Sequence, residues 1–128
     1  IDRPNEWISI TIPLINFVEE TSYSTPVTYI LHFIRNHYAE NFHLQEIAQQ
    51  LHISPAYMAQ LFKAETGCSV KRHLKEVRIN AAKRLLSCTK DPISKIAVQT
   101  GFYDSAHFCR TFRAVTDMTP QEFRNNLK

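Results

Sequence analysis

The chain repeats itself, and the repeat narrows the folds open to it more than any other feature. Leu44-Gln45-Glu46-Ile47-Ala48-Gln49-Gln50 aligns on Ile93-Ser94-Lys95-Ile96-Ala97-Val98-Gln99 at an offset of 49 residues; one extra residue then raises the offset to 50. At the second offset Ala56 meets Ala106, Phe62 meets Phe112, Ala64 meets Ala114 and Thr66 meets Thr116. Each copy holds a short stretch with helical periodicity, a sharp break, and a second such stretch, the pattern of two helices joined by a tight turn. The matched Ala48 and Ala97 fall mid-way along the first helix, where the second crosses closely and a larger side chain would clash.

Local signals place the helices. Thr25 reads as an N-cap, with Pro26 in the first turn and Val27, Ile30, Leu31 and Ile34 at helical spacing to about Tyr38. The first helix-turn-helix spans about 44–66: a helix from Leu44 to Leu51, a turn at His52-Ile53, and a helix capped by Ser54, opened by Pro55 and ended by Gly67. The turn requires a residue that tolerates positive φ, and His is one of the few besides glycine that does. A long helix follows over about 70–88, with Val70, Leu74, Val77, Ala81 and Leu85 on one face and Lys71, Lys75 and Arg78 as a basic stripe beside it. The second helix-turn-helix spans about 93–116, its second helix capped by Asp104. Thr119-Pro120-Gln121-Glu122 forms a capping box for a last helix over about 120–127. The expected fold is all-α: seven helices, with two helix-turn-helix units joined by a long central helix. Ahead of them, Trp7-Ile8-Ser9-Ile10-Thr11-Ile12 alternates like a strand, so residues 1–24 read as a linker or the remnant of an upstream domain.

Composition bounds the function. The chain's 128 residues suit one domain, and two glycines with 44% hydrophobic residues disfavour both disorder and a turn-rich β fold. Neither a signal peptide nor an apolar run of membrane-spanning length is present, so a cytoplasmic protein without a membrane partner is expected. Cys68, Cys88 and Cys109 are an odd number and widely spaced, which reads as reduced thiols rather than a metal or redox site. The six histidines include no i, i+4 pair flanking a glutamate, and no glycine-rich phosphate loop occurs. No enzyme, metal or cofactor is therefore expected. The net charge of +3 is uneven: Arg3 against Asp2, Glu6, Glu19 and Glu20 leaves −3 on residues 1–24 and so +6 on the rest. A basic body suits a polyanion, although such an excess is also common on ordinary surfaces.

From residue 25 onward the chain resembles the AraC and XylS class of bacterial transcription activators. The most specific residues are Ile96-Ala97, Gly101-Phe102, Asp104, Phe108, Arg110, Phe112, Arg113, Thr119-Pro120 and Phe123-Arg124. Two positions depart from the family pattern: Asp117, where glycine is usual, and His52 in the first turn; both residue types can adopt left-handed backbone. The resemblance implies a sequence-specific DNA-binding domain that lays the second helix of each unit (about 55–66 and 104–116) in the major groove of promoter or operator DNA. It also implies contact with RNA polymerase, an upstream sensing or dimerising domain, and a role for Arg78 in holding the units together. The expected isolated fragment is a monomer on an asymmetric site. Geometry agrees, since a helix over 70–88 is about 28 Å long against about 34 Å between major-groove faces one turn apart. The rival reading is a helical protein-interaction module, which would bind DNA weakly or without sequence preference.

In a DNA-binding domain of this kind the base-facing residues are those left over when the core is subtracted. Met58, Leu61 and Phe62 claim one face of the first recognition helix, leaving Ala56, Tyr57, Gln60 and Lys63. Gln60 can bond adenine and Ala56 can meet a thymine methyl, while Lys63 suits phosphate; solvated side chains, or a Tyr57 ring packed on the core, are the alternatives. Phe108 and Phe112 claim the core face of the second, leaving Ser105, Ala106, His107, Arg110 and Arg113. Arg110 can fork onto guanine O6 and N7, or else clamp a phosphate or pair with Asp104. His107 is either a donor or merely solvated. Phe102 and Ile53 read as turn anchors.

Overall fold

The computed structural model describes residues 23–127. The strand expected at residues 7–12 lies outside them. Seven helices follow in order: α1 (Thr25–His37), α2 (Leu44–Gln50), α3 (Pro55–Thr66), α4 (Val70–Cys88), α5 (Ile93–Gln99), α6 (Ser105–Thr116) and α7 (Pro120–Asn125). Among the described residues the architecture is all-α, as read from the sequence, with α2–α3 and α5–α6 as the two helix-turn-helix units.

Helix starts follow the capping chemistry. The side chains of Ser54, Ser69, Asp104 and Thr119 accept bonds from the backbone N–H of Tyr57, Arg72, His107 and Glu122. At α1 the cap is Ser24 rather than Thr25, and Pro26 sits in the first turn as expected. The Ser24 backbone N–H donates to Glu65 Oε1 of α3 at 2.8 Å, tying the start of α1 to the recognition helix. The Glu122 carboxyl is held below the usual range chiefly by the Thr119 backbone N–H, with the Thr119 hydroxyl and the charge of Arg113 adding to it.

The repeat extends further than the sequence match. His52 (φ 59°) and Gly101 (φ 96°) take left-handed backbone in the two turns, and Gly67 (φ 86°) and Asp117 (φ 64°) do so after the two recognition helices. Thr66 Oγ1 donates to Phe62 O at 2.8 Å, as Thr116 Oγ1 does to Phe112 O at 2.8 Å. The Phe62 ring meets His73 edge-on at 5.7 Å, as Phe112 meets Phe123 at 5.5 Å. Here α4 stands to the first unit as α7 stands to the second. Partial burial lowers the His73 pKa, with Glu76 opposing the shift.

Two cores result. Val27, Ile30, Ile34, Ile47, Ala48, Met58 and Phe62 form the first. Ile79, Ala82, Leu86, Ile96, Ala97, Phe102, Phe108 and Phe112 form the second. The long helix α4 serves both, which corrects the single apolar face expected of it. Val70, Leu74 and Val77 pack on the first core, whereas Ile79, Ala82, Leu85 and Leu86 pack on the second from another side of the helix. A helix shared by two units must bury two faces, and one stripe cannot describe it.

Candidate nucleic-acid interface

On α3 the core subtraction holds. Met58 and Phe62 are fully buried and Leu61 is half-buried, while Ala56, Tyr57, Gln60 and Lys63 are exposed. Tyr57, 51% exposed, does not spend its ring on the core. On α6, Phe108 and Phe112 are fully buried, and Ala106, Arg110 and Arg113 are exposed. Ser105 and His107 are half-buried, so they are less open to solvent than the other three.

The placement of His107 has a clear cause. Its ring stacks on Tyr103 at 4.2 Å and 5°, and meets Phe102 edge-on at 5.4 Å. Its Nδ1 is shielded from solvent, with no hydrogen-bond partner. The imidazole is thus part of the packing of the turn as well as of the face of α6. Tyr103, 78% exposed, was missed by the sequence reading; an aromatic between the turn anchor and the helix cap was the available signal. Asp104 spends a carboxylate oxygen on the His107 backbone N–H at 2.7 Å, and no ion pair joins Arg110 to another described residue.

Arg78 ties the two units together. Arg78 of α4 donates from Nε to Tyr38 O at 2.6 Å and from Nη2 to Glu40 O at 3.1 Å, satisfying carbonyls past the end of α1. The Gly101 turn of the second unit lies directly on this contact: a Cβ built there would stand 2.7 Å from Arg78 Nε and 2.8 Å from Tyr38 O. Partial burial pulls the Arg78 pKa down from its ordinary value. Arg124 of α7 repeats the device on the end of α4, donating to Leu86 O at 3.2 Å, Asp91 O at 2.7 Å and Thr89 O at 3.3 Å. Sequence reading named the role of Arg78 but not that of Arg124.

No group of three or more His, Cys, Asp or Glu residues is gathered as a metal would require among the described residues. Nor is any described helix long and apolar enough to cross a membrane. Exposed polar faces on the second helix of each unit, and a rigid link between the units, are what the molecule offers.

Comparison with known proteins decides the family. The model of a helix-turn-helix domain, of the AraC type, matches residues 47–126. The chain belongs to the AraC family. It is 38% identical over 93 residues to the arabinose operon regulatory protein of Escherichia coli, a match covering 72% of this chain and 32% of that protein. This AraC-type chain thus spans about a third of the length of that relative. Among solved structures, the C-terminal domain of AraT, a response regulator from Geobacillus stearothermophilus, superposes with TM-score 0.77 at 28% identity, covering 80% of this chain and 86% of that one. The DNA-binding domain of the global transcriptional factor AdpA, solved with a target DNA, shares the fold at TM-score 0.75 and 22% identity, over 80% and 93% of the two chains. The chain is an AraC-type DNA-binding domain of the kind found in transcriptional regulators.

Proposed function

We propose that the domain recognises a specific operator by inserting α3 and α6 into successive major-groove faces on one side of a duplex. The observation that carries this is the duplicated, outward polar face: Gln60 and Lys63 on α3, opposite the buried Met58 and Phe62, and Arg110 and Arg113 on α6, opposite the buried Phe108 and Phe112. Ala56, Tyr57, Ser105, Ala106 and His107 complete the proposed contact surface near the helix starts. Gln60 and Arg110 carry the base reading: the amide of Gln60 can donate to adenine N7 and accept from its N6–H, and the guanidinium of Arg110 can donate to guanine O6 and N7 in the major groove. Lys63 serves a phosphate. The 19-residue helix α4 is about 28 Å long, comparable to the roughly 34 Å between major-groove faces one turn apart. Where the spacing of the helices falls short of one turn, a moderate bend of the DNA, costing on the order of 1–6 kcal/mol, brings both grooves into reach.

The finer assignments rest on the same reading. The domain acts as a binding module without catalysis, in the bacterial cytoplasm on the nucleoid. It binds alone as a monomer, dimerises through an upstream domain in the full-length regulator, and touches RNA polymerase from its DNA-bound position.

The test uses a duplex selected from randomised DNA and a scrambled control, followed by fluorescence anisotropy. Arg110→Ala is expected to shrink the preference for the selected site by about 1–3 kcal/mol, roughly five- to a hundred-and-fiftyfold, while leaving scrambled-duplex binding nearly unchanged. Equal, weak binding of the parent to both duplexes would favour the protein-interaction module instead.

A further inference from the structure

The basic stripe of α4 has no part in capping, packing or base reading, apart from Arg78. It lines one wall of a cleft of about 460 Å³ between the two units, formed by Ser69, Lys71, Arg72, Leu74, Lys75 and Arg78 of the α4 segment and by Phe102, His107 and Thr111 of the second unit. Four of these nine side chains are cationic and none is a carboxylate. Two of the four are engaged: Arg78 with the carbonyls past α1, and Arg72 with Glu76 at 3.3 Å. Lys71 and Lys75 are exposed and form no ion pair with a described residue. They stand four residues apart, so their stems rise from the same side of α4, about 6 Å apart along its axis.

Position identifies the occupant. His107 lines the cleft and also belongs to the proposed DNA-facing set, so the cleft borders that face. When two helices enter successive major-groove segments from one side, the duplex turns its minor groove and two phosphate ridges toward whatever lies between them. Here that is the cleft. Its apolar floor of Leu74 and Phe102 offers no partner to base edges, whereas ammonium groups suit phosphate oxygens as compact point charges.

We propose that the cleft between α4 and α6 seats the sugar-phosphate backbone of the operator between its two major-groove segments, with Lys71 and Lys75 as the phosphate-binding cations. This rests on the DNA-recognition reading above. The contact is blind to sequence, fixes how the two recognition helices sit on the duplex, and holds the DNA against α4 as it bends.

The experiment is a salt series of anisotropy titrations with the whole chain, on the selected and scrambled duplexes, for the parent and the double variant Lys71→Ala/Lys75→Ala. Both positions are exposed on a helix, and alanine keeps it helical. Each lost phosphate contact removes about 0.9 from the slope of log K against log salt, so the double variant should lose about 2. Its ratio of selected to scrambled affinity should stay that of the parent, and Lys71→Arg/Lys75→Arg should restore the slope. Neutral methylphosphonates at the central phosphates should lower the parent's slope by the same amount and leave the alanine variant's unchanged. A parent that prefers the selected duplex while the alanine variant keeps its full slope overturns the backbone seat alone. A parent without preference for the selected duplex overturns the recognition reading and the seat with it.

Discussion

Gly101→Ala is expected to destabilise the domain by on the order of 3 kcal/mol or more, measured by urea unfolding. Two costs combine. Holding a residue with a Cβ at a φ of 96° costs about 1–2 kcal/mol. The added carbon would then lie 2.7 Å from Arg78 Nε and 2.8 Å from the Tyr38 carbonyl oxygen, and the second is backbone that cannot swing aside. Relieving the clash breaks the Arg78 bonds to Tyr38 and Glu40; bonds to a charged group of this kind are worth about 1.5–3 kcal/mol. Gly67→Ala separates the two costs, since its φ is 86° and nothing lies within 4 Å of the added Cβ. It should lose only the backbone cost, about 1–2 kcal/mol. Equal losses at the two glycines would show that the contact of Arg78, Tyr38 and Gly101 does not hold the units together.

Phe112→Ala should cost about 3–5 kcal/mol, a large share of the 5–15 kcal/mol that keeps a domain folded. The ring is fully buried and meets Phe108 at 5.7 Å and Phe123 at 5.5 Å. The loss should be local as well as large. The cores on either side of α4 share no residue, so amide hydrogen exchange in Phe112→Ala should accelerate across α5, α6 and α7 more than across α1, α2 and α3. Uniform acceleration would mean that α4 couples the units into one cooperative whole.

Much of this fold is written locally. Ser54-Pro55, Asp104 and Thr119-Pro120 each mark a helix start through a side chain that caps its own backbone, and such signals need no knowledge of tertiary contacts. His52 and Asp117 were legible as left-handed residues because so few types other than glycine accept that conformation. The Thr25 cap was off by one residue, as Ser24 and Thr25 are both chemically suited and only the chain's path chooses between them. The burial of α4 was misread because periodicity sums over a helix, and this one turns different sides to two partners. The exposed set on α3 followed from core subtraction, whereas His107 on α6 did not. Its burial depends on stacking against Tyr103 across the turn, a contact that helical periodicity does not encode. The link of Arg78 to Tyr38 joins residues 40 apart in sequence and becomes visible only in three dimensions.

The measurement that bears most directly on recognition by both units is a dimethyl sulfate footprint of the whole chain on a selected operator carrying guanines across its length. Reading by α3 and α6 together should protect guanine N7 in two patches of the major groove on one face, centred about ten base pairs apart. Protection confined to a single patch, or absent from the major groove, would contradict it.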